Sequence, residues 1–148
     1  QSRETPVPLK AAYMRKDLQD WARHVGVTIH FPPPVFPVNS VKAMRGAWLA
    51  VEAGCLVPYA REVFRRYWTE LADISQDEVL APIAEGVGFT REAFFAGIAR
   101  QDIKDRLRLA TEECVARGGF GSPTLFLDGE DMYFGNDRID LMLARLAR

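Results

Sequence analysis

Few residues in this chain offer a starting point for chemistry. The only cysteines, Cys55 and Cys114, stand far apart and form no C-x-x-C pair. Neither a redox dithiol nor a four-ligand zinc site can be written from them, and both read as inert, buried thiols. His24 and His30 have no partner at metal-ligand or triad spacing and read as surface or loop residues. Two short stretches near the C-terminus remain. Gly121-Ser122-Pro123 stands directly before an apolar run, and Gly135-Asn136-Asp137 stands where a helix begins. Free N–H groups and the positive dipole end at such a start suit a carboxylate, and Asp137 suits an ammonium. The plainer reading is that Asn136 only caps the helix and Asp137 only favours its dipole.

The elements that must position these residues are mostly helical. After Pro6 and Pro8, Leu9 to Val25 carries Ala12, Tyr13, Leu18, Trp21 and Ala22 at helical spacing, with Gly26 as a stop. Val27 to Phe31 alternates briefly, and Pro32-Pro33-Pro34 with Pro37 forces an extended connector. Asn39 or Ser40 caps a helix reaching about Cys55, and Pro58 opens another with Val63, Phe64, Tyr67, Trp68 and Leu71 on its apolar side. Trp48, Tyr67 and Trp68 read as core or dimer-contact residues, and Arg65-Arg66 as a solvated face rather than an anion clamp. Ser75 and Glu78 form an S-x-x-E capping box, and Thr90 caps a helix with Phe94, Phe95 and Ile98. Gln101 to Arg117 is a charged helix with Ile103, Leu107, Ala110 and Cys114 inward, ended by Gly118-Gly119.

The hydrophobic period then changes. Pro123 to Leu127 reads as a strand, Asp128-Gly129 as a turn and Met132 to Phe134 as the returning strand. A closing helix, capped by Asn136, carries Ile139, Met142, Leu143 and Leu146 at i, i+3, i+4 and i+7. Strand 123–127 is apolar on both faces, as strands interior to a sheet are, yet a lone hairpin is marginal and no other strand is convincing. Further strands are therefore expected from a partner chain or from residues preceding Gln1.

Composition narrows the function classes. The 148 residues, 48% hydrophobic and 26% charged, suit one soluble domain with or without an embedded subdomain. A net charge of -1 leaves no basic field for nucleic acid. No apolar run approaches a membrane span, and Gln1-Ser2-Arg3-Glu4 lacks the basic start and apolar core of a signal peptide, so a cytosolic chain is expected.

Gly119-Phe120-Gly121-Ser122-Pro123-Thr124-Leu125-Phe126-Leu127-Asp128-Gly129, followed by Phe134-Gly135-Asn136-Asp137-Arg138, resembles the C-terminal signature of 2-hydroxychromene-2-carboxylate isomerases. Pro8-Leu9-Lys10, Tyr13-Met14, Asp17-Leu18 and Phe31-Pro32 are similar to the start of the helical subdomain in that family and in kappa-class glutathione transferases. The resemblance implies an α/β, thioredoxin-like fold with an inserted all-helical subdomain. Residues 1–117 would form that insert and its return helix, and residues 118–148 the closing ββα part. The opening strand, helix and strand would lie outside the chain. With them would go the serine that activates the glutathione thiol, so no catalytic residue is assigned here.

The resemblance further implies a cis Ser122–Pro123 bond, which turns the Ser122 backbone toward a bound γ-glutamyl-cysteinyl backbone. Glutathione would be held by Gly121, Ser122, Pro123, Gly135, Asn136 and Asp137, with Lys10 at its glycine end. Gln1 falls near a family asparagine that touches glutathione but is not assigned that role. Asn39 and Phe134 would line the pocket of a small aromatic acid. Its carboxylate needs a cation, for which Lys10, Lys42 and Arg45 stand unranked. The implied reaction is reversible addition of glutathione thiolate, rotation and expulsion, by a homodimer and without a metal. A kappa-type transferase, a DsbA-type oxidoreductase and a catalytically incomplete helical module are the alternatives.

Overall fold

The computed structural model describes residues 8–147; the opening Gln1 to Glu4 and Pro6 lie outside them. The chain divides into two compact units, residues 1–103 and 104–148.

The first unit is helical. α1 (Pro8–Val25) ends at Gly26, whose φ of 75° is the left-handed value that a helix-stopping glycine supplies. Of its expected inward residues only Ala22 is buried, Leu18 and Trp21 are half-buried, and Tyr13 is 64% exposed. Residues 27–40 form no strand. Instead Gln19 Nε2 donates to the Ile29 carbonyl at 2.9 Å, and the Phe31–Pro32 and Phe36–Pro37 bonds are cis. α2 (Val41–Glu52) begins with Asn39 Oδ1 accepting from the Val41 N–H at 3.2 Å, while the Ser40 side chain makes no cap bond.

α3 (Leu56–Phe64) runs into a π-helical turn at Arg65–Thr69, marked by the Glu70 N–H donating to the Arg65 carbonyl at 3.1 Å. Arg65 and Arg66 are paired there with Glu62 of α3 and with Glu70, which directly follows the turn.

α4 (Asp77–Gly86) starts one residue later than the S-x-x-E pattern requires. Asp73 Oδ1 accepts from both the Ser75 N–H at 3.0 Å and the Ser75 hydroxyl at 2.6 Å. The serine is thereby committed to a turn, and Gln76 takes the cap position without a side-chain bond. In α5 (Arg91–Ala99) the Thr90 hydroxyl oxygen accepts from the Ala93 N–H at 3.1 Å, as its sequence predicts.

The core of this unit gathers Leu49, Tyr59, Val63, Tyr67, Leu80, Ile83, Phe94 and Ile98, with Trp48 and Trp68 packed against it. Tyr59 buries its ring and donates its hydroxyl to the Ala43 carbonyl at 3.1 Å. Burial holds that phenol above its ordinary range.

α6 (Gln101–Ala116) starts in the first unit, where Ile103 is wholly buried, and continues into the second with Leu107, Ala110 and Cys114 half-buried. Gly118, at φ 89°, and Gly119 close it by donating to the Val115 and Cys114 carbonyls at 3.0 and 2.8 Å, the Schellman pattern.

Among the described residues the sheet has two antiparallel strands. β1 (Thr124–Leu127) pairs with β2 (Asp131–Phe134) in a register that sets Thr124 opposite Phe134 and Leu127 opposite Asp131. Asp128 and Gly129 have φ of 51° and 92°, successive positive values that suit an Asp-Gly hairpin turn. The Arg117 guanidinium lies 3.7 Å from the Phe126 ring centroid and also bonds the Gly129 carbonyl, fastening the hairpin to the end of α6. α7 (Ile139–Leu146) completes the unit.

Candidate functional site

The hairpin register determines what meets at its open end. Because Thr124 pairs with Phe134, the residues before β1 and those after β2 emerge side by side. The Gly135 N–H donates to the Pro123 carbonyl at 3.0 Å, adding one more bond beyond the strands. Gly121, Ser122 and Pro123 are thus brought together with Phe134, Gly135, Asn136 and Asp137. All are exposed except Gly135, which is half-buried.

Local constraints fix each stretch. The Ser122–Pro123 bond is cis, as the family resemblance implies. The Thr124 hydroxyl donates to the Gly121 carbonyl at 2.6 Å, and no Ser122 backbone hydrogen bond is formed among the described residues. Glycine at 121 leaves room for the Phe134 ring, since a Cβ there would come within 2.7 Å of Phe134 Cε2 and push that ring aside. Gly135 has φ 109° and ψ 150°, a conformation confined essentially to glycine, and a Cβ there would stand 2.6 Å from Asp137 Oδ1.

Asn136 does not cap α7. Asn136–Arg138 forms a single 3-10 turn ahead of it, and neither the turn nor α7 has a side-chain cap. The tight turn follows directly on the positive-φ backbone of Gly135. Asp137 Oδ2 accepts from Arg138 Nη1 at 2.6 Å, while Oδ1 lies over Gly135. An ammonium held by Asp137 would therefore share the carboxylate with Arg138.

Phe120 adds a side chain to which no role was assigned from sequence. Its ring centroid is 4.6 Å from that of Phe134, and it is 71% exposed. Its position directly before Gly121-Ser122-Pro123 was the available signal.

Lys10 and Asn39 belong to the first unit. Lys10 is exposed in the first turn of α1, and Asn39 is exposed with its Oδ1 turned to the Val41 N–H. Lys42 is bound to Asp77 Oδ1 at 2.6 Å. Cys55 and Cys114 are free thiols and only half-buried, less enclosed than their sequence suggests. Among the described residues no three His, Cys, Asp or Glu side chains gather to hold a metal, and no helix is long and apolar enough to cross a membrane.

The family model for the DSBA-like thioredoxin domain matches residues 1–147. The chain belongs to the DsbA-like thioredoxin family. Its fold is that family's, mostly helical with a small two-strand antiparallel sheet and a C-terminal helix. Among DsbA-like relatives, 2-hydroxychromene-2-carboxylate isomerase of Pseudomonas putida is 29% identical over 140 residues, covering 95% of this chain and 67% of that protein. Human glutathione S-transferase kappa 1 is 31% identical over 148 residues, covering 92% of this chain and 66% of its own length. The chain thus spans about two thirds of the length of these curated relatives, both of them enzymes. A solved 2-hydroxychromene-2-carboxylate isomerase superposes with a TM-score of 0.83 at 28% identity, covering 98% of this chain and 71% of that one. A putative protein disulfide isomerase from Nitrosomonas europaea, at 20% identity and a TM-score of 0.67, shares the fold.

Proposed function

We propose that this chain serves a glutathione-dependent isomerase activity of the 2-hydroxychromene-2-carboxylate isomerase type. The observation that carries the reading is the Gly135-to-Pro123 hydrogen bond, which holds an exposed Ser-Pro loop beside an exposed Gly-Asn-Asp turn. In this reading the Ser122 backbone takes the γ-glutamyl-cysteinyl backbone as a short added strand. The Asn136 and Asp137 amides meet the γ-glutamyl carboxylate, and the Asp137 carboxylate meets its ammonium. Phe134 serves the aromatic acid. Residues 1–117 are assigned to the helical insert with its return helix, and 118–148 to the closing ββα part of a homodimeric enzyme.

The chemistry is balanced without an oxidant. A thiolate adds to the conjugated carbon, the double bond becomes single and rotates, and expulsion of the same thiolate restores the double bond. The residues of this chain bind and orient. The thiol-activating role belongs, by resemblance, to a serine that no position here matches.

The test is conversion of 2-hydroxychromene-2-carboxylate followed by its absorbance, with and without glutathione, beside calorimetric glutathione binding. Asp137→Asn is expected to weaken glutathione binding about tenfold, the loss of a charge-assisted bond, and Ser122→Ala to leave it within about twofold. Turnover that ignores glutathione would refute the proposal. The human kappa relative supports a conjugating transferase as second reading; glutathione consumption by an aryl halide without isomerisation would favour it. Disulfide reduction would point to a DsbA-type oxidoreductase, and a folded chain that binds no glutathione to a catalytically incomplete helical module.

A further inference from the structure

We propose that Arg138 is a further glutathione-reading residue, meeting the carboxylate of the γ-glutamyl head while Asp137 meets its ammonium, an inference that rests on the glutathione site proposed above. Both residues stand on the short turn that follows Gly135. Both belong to the unit 104–148, which also holds the Gly121-Ser122-Pro123 stretch beside them.

Arg138 Nη1 donates to Asp137 Oδ2 at 2.6 Å, and among the described residues its side chain makes no other hydrogen bond. The Nε and Nη2 edge of the planar fork therefore stays open, with donors for two oxygens at once. On the acid side, Asp137 Oδ1 accepts no hydrogen bond among the described residues and lies over Gly135. The two side chains are 48% and 46% exposed, so a solute can reach both. Arg117, at the turn end of the hairpin, is by contrast occupied by the Phe126 ring and the Gly129 carbonyl.

The charges of the ligand head require a cation at this place. An α-amino acid carries its ammonium and carboxylate on one carbon, so an ammonium seated on Asp137 brings its own carboxylate close to the Asp137 charge. Like charges at that range oppose binding unless a cation stands beside them. The Asn136 and Asp137 amides offer hydrogen bonds but no net charge. Arg138 supplies it, since a guanidinium stays cationic at any ordinary pH. Asp137 and Arg138 thus present a negative and a positive group side by side, the complement of the zwitterion. An exposed ion pair is weak, so turning Arg138 from Asp137 toward the ligand carboxylate costs little.

Two analogues separate the halves of the head: γ-aminobutyryl-cysteinylglycine lacks its carboxylate, and glutaryl-cysteinylglycine lacks its ammonium. Calorimetry measures both, and glutathione, on the unaltered chain, Arg138→Gln, Arg138→Lys and the control Arg108→Gln, which breaks the exposed Arg108–Glu112 pair on α6. Arg138→Gln should weaken glutathione and the glutaryl analogue about tenfold and leave the aminobutyryl analogue within about twofold. Arg138→Lys, which keeps the charge and loses the fork, should fall between, and Arg108→Gln should match the unaltered chain. A residue that only positions Asp137 would give the opposite pattern, a loss that follows the ammonium. That pattern, unchanged glutathione binding in Arg138→Gln, or tighter binding there, as from removal of a competitor for Asp137, overturns the proposal. Should the Gln variant not fold, the Lys variant decides, and undiminished glutathione binding there overturns it. No glutathione binding by the unaltered chain overturns both this proposal and the reading beneath it, whereas Arg138-dependent binding without glutathione-dependent isomerisation refutes the isomerase reading alone.

Discussion

The Gly135 N–H donates to the Pro123 carbonyl at 3.0 Å, one step beyond the paired Thr124 and Phe134. That bond makes one rigid edge of two stretches twelve residues apart in sequence, and it depends on a backbone conformation that only glycine holds comfortably. Gly135→Ala should cost about 1–3 kcal/mol through its φ of 109° and also push aside Asp137 Oδ1. Gly88, at φ 101° with open space around its Cβ position, is the matched control. Urea melts should show both alanine variants destabilised, whereas glutathione affinity should fall only for Gly135→Ala. Equal affinity in the two variants would remove Gly135 from the site.

Gly46 is a packing glycine of the core. A Cβ there would collide with the Tyr59 hydroxyl and come within 2.7 Å of Phe94 Cζ, both on rings with almost no exposed surface. Gly46→Ala should destabilise by about 1–3 kcal/mol despite its gain in helix propensity. In a Tyr59→Phe background the loss should be smaller, because the colliding oxygen is gone. A double-mutant cycle from denaturant melts measures the difference, and strict additivity would contradict the contact.

Glu62 gives the acid limb of stability a specific contributor. Hydrogen bonds from Arg65, then from Arg66, pull its carboxyl from 4.5 down to about 2. A folded-state value below the unfolded one means that the stabilisation is complete above about 4.5 and disappears as pH falls toward about 2. Thermal melts of Glu62→Gln should converge on the unaltered chain at the acid end of that window and lie below it at neutral pH. The gap should be modest, about 1 kcal/mol or less, because the network is partly solvated. A constant gap across the window would refute the assignment.

Legibility from sequence varied with how local the cause was. Thr90 announced its cap and Gly118-Gly119 announced a helix end, because in each the residue and its partner lie within one turn. Asp128-Gly129 did the same for the hairpin. Ser75 misled, since the pattern with Glu78 is equally local but Asp73, two residues earlier, captured the hydroxyl first. Asn136 misled for a similar reason, because the conformation of Gly135 replaces a simple helix start with a 3-10 turn. The π turn after Phe64 left no trace in the hydrophobic period, which simply continues through Tyr67 and Trp68. In the candidate site, the Ser-Pro and Gly-Asn-Asp stretches were readable as motifs. The pairing of Asp137 with Arg138 and the place of Phe120 against Phe134 are side-chain facts that spacing does not encode.

The π turn at Arg65–Thr69 also shapes the stretch that has no regular structure of its own. Its Trp68 carbonyl accepts from the His30 N–H at 2.8 Å, Thr69 donates to the Thr28 carbonyl at 2.7 Å, and Tyr67 donates to the Val35 carbonyl at 2.9 Å. The Phe31 ring stacks 6.4 Å from Trp68. Residues 24–41 contain no lysine or arginine, and Phe31 and Phe36 are each followed by proline. Trypsin has no cleavage point there and chymotrypsin meets proline after each phenylalanine, while the widened turn holds the backbone away from the extended fit that any protease requires. The longest irregular segment among the described residues is thus poorly suited as a first point of digestion, and limited proteolysis should cut elsewhere first.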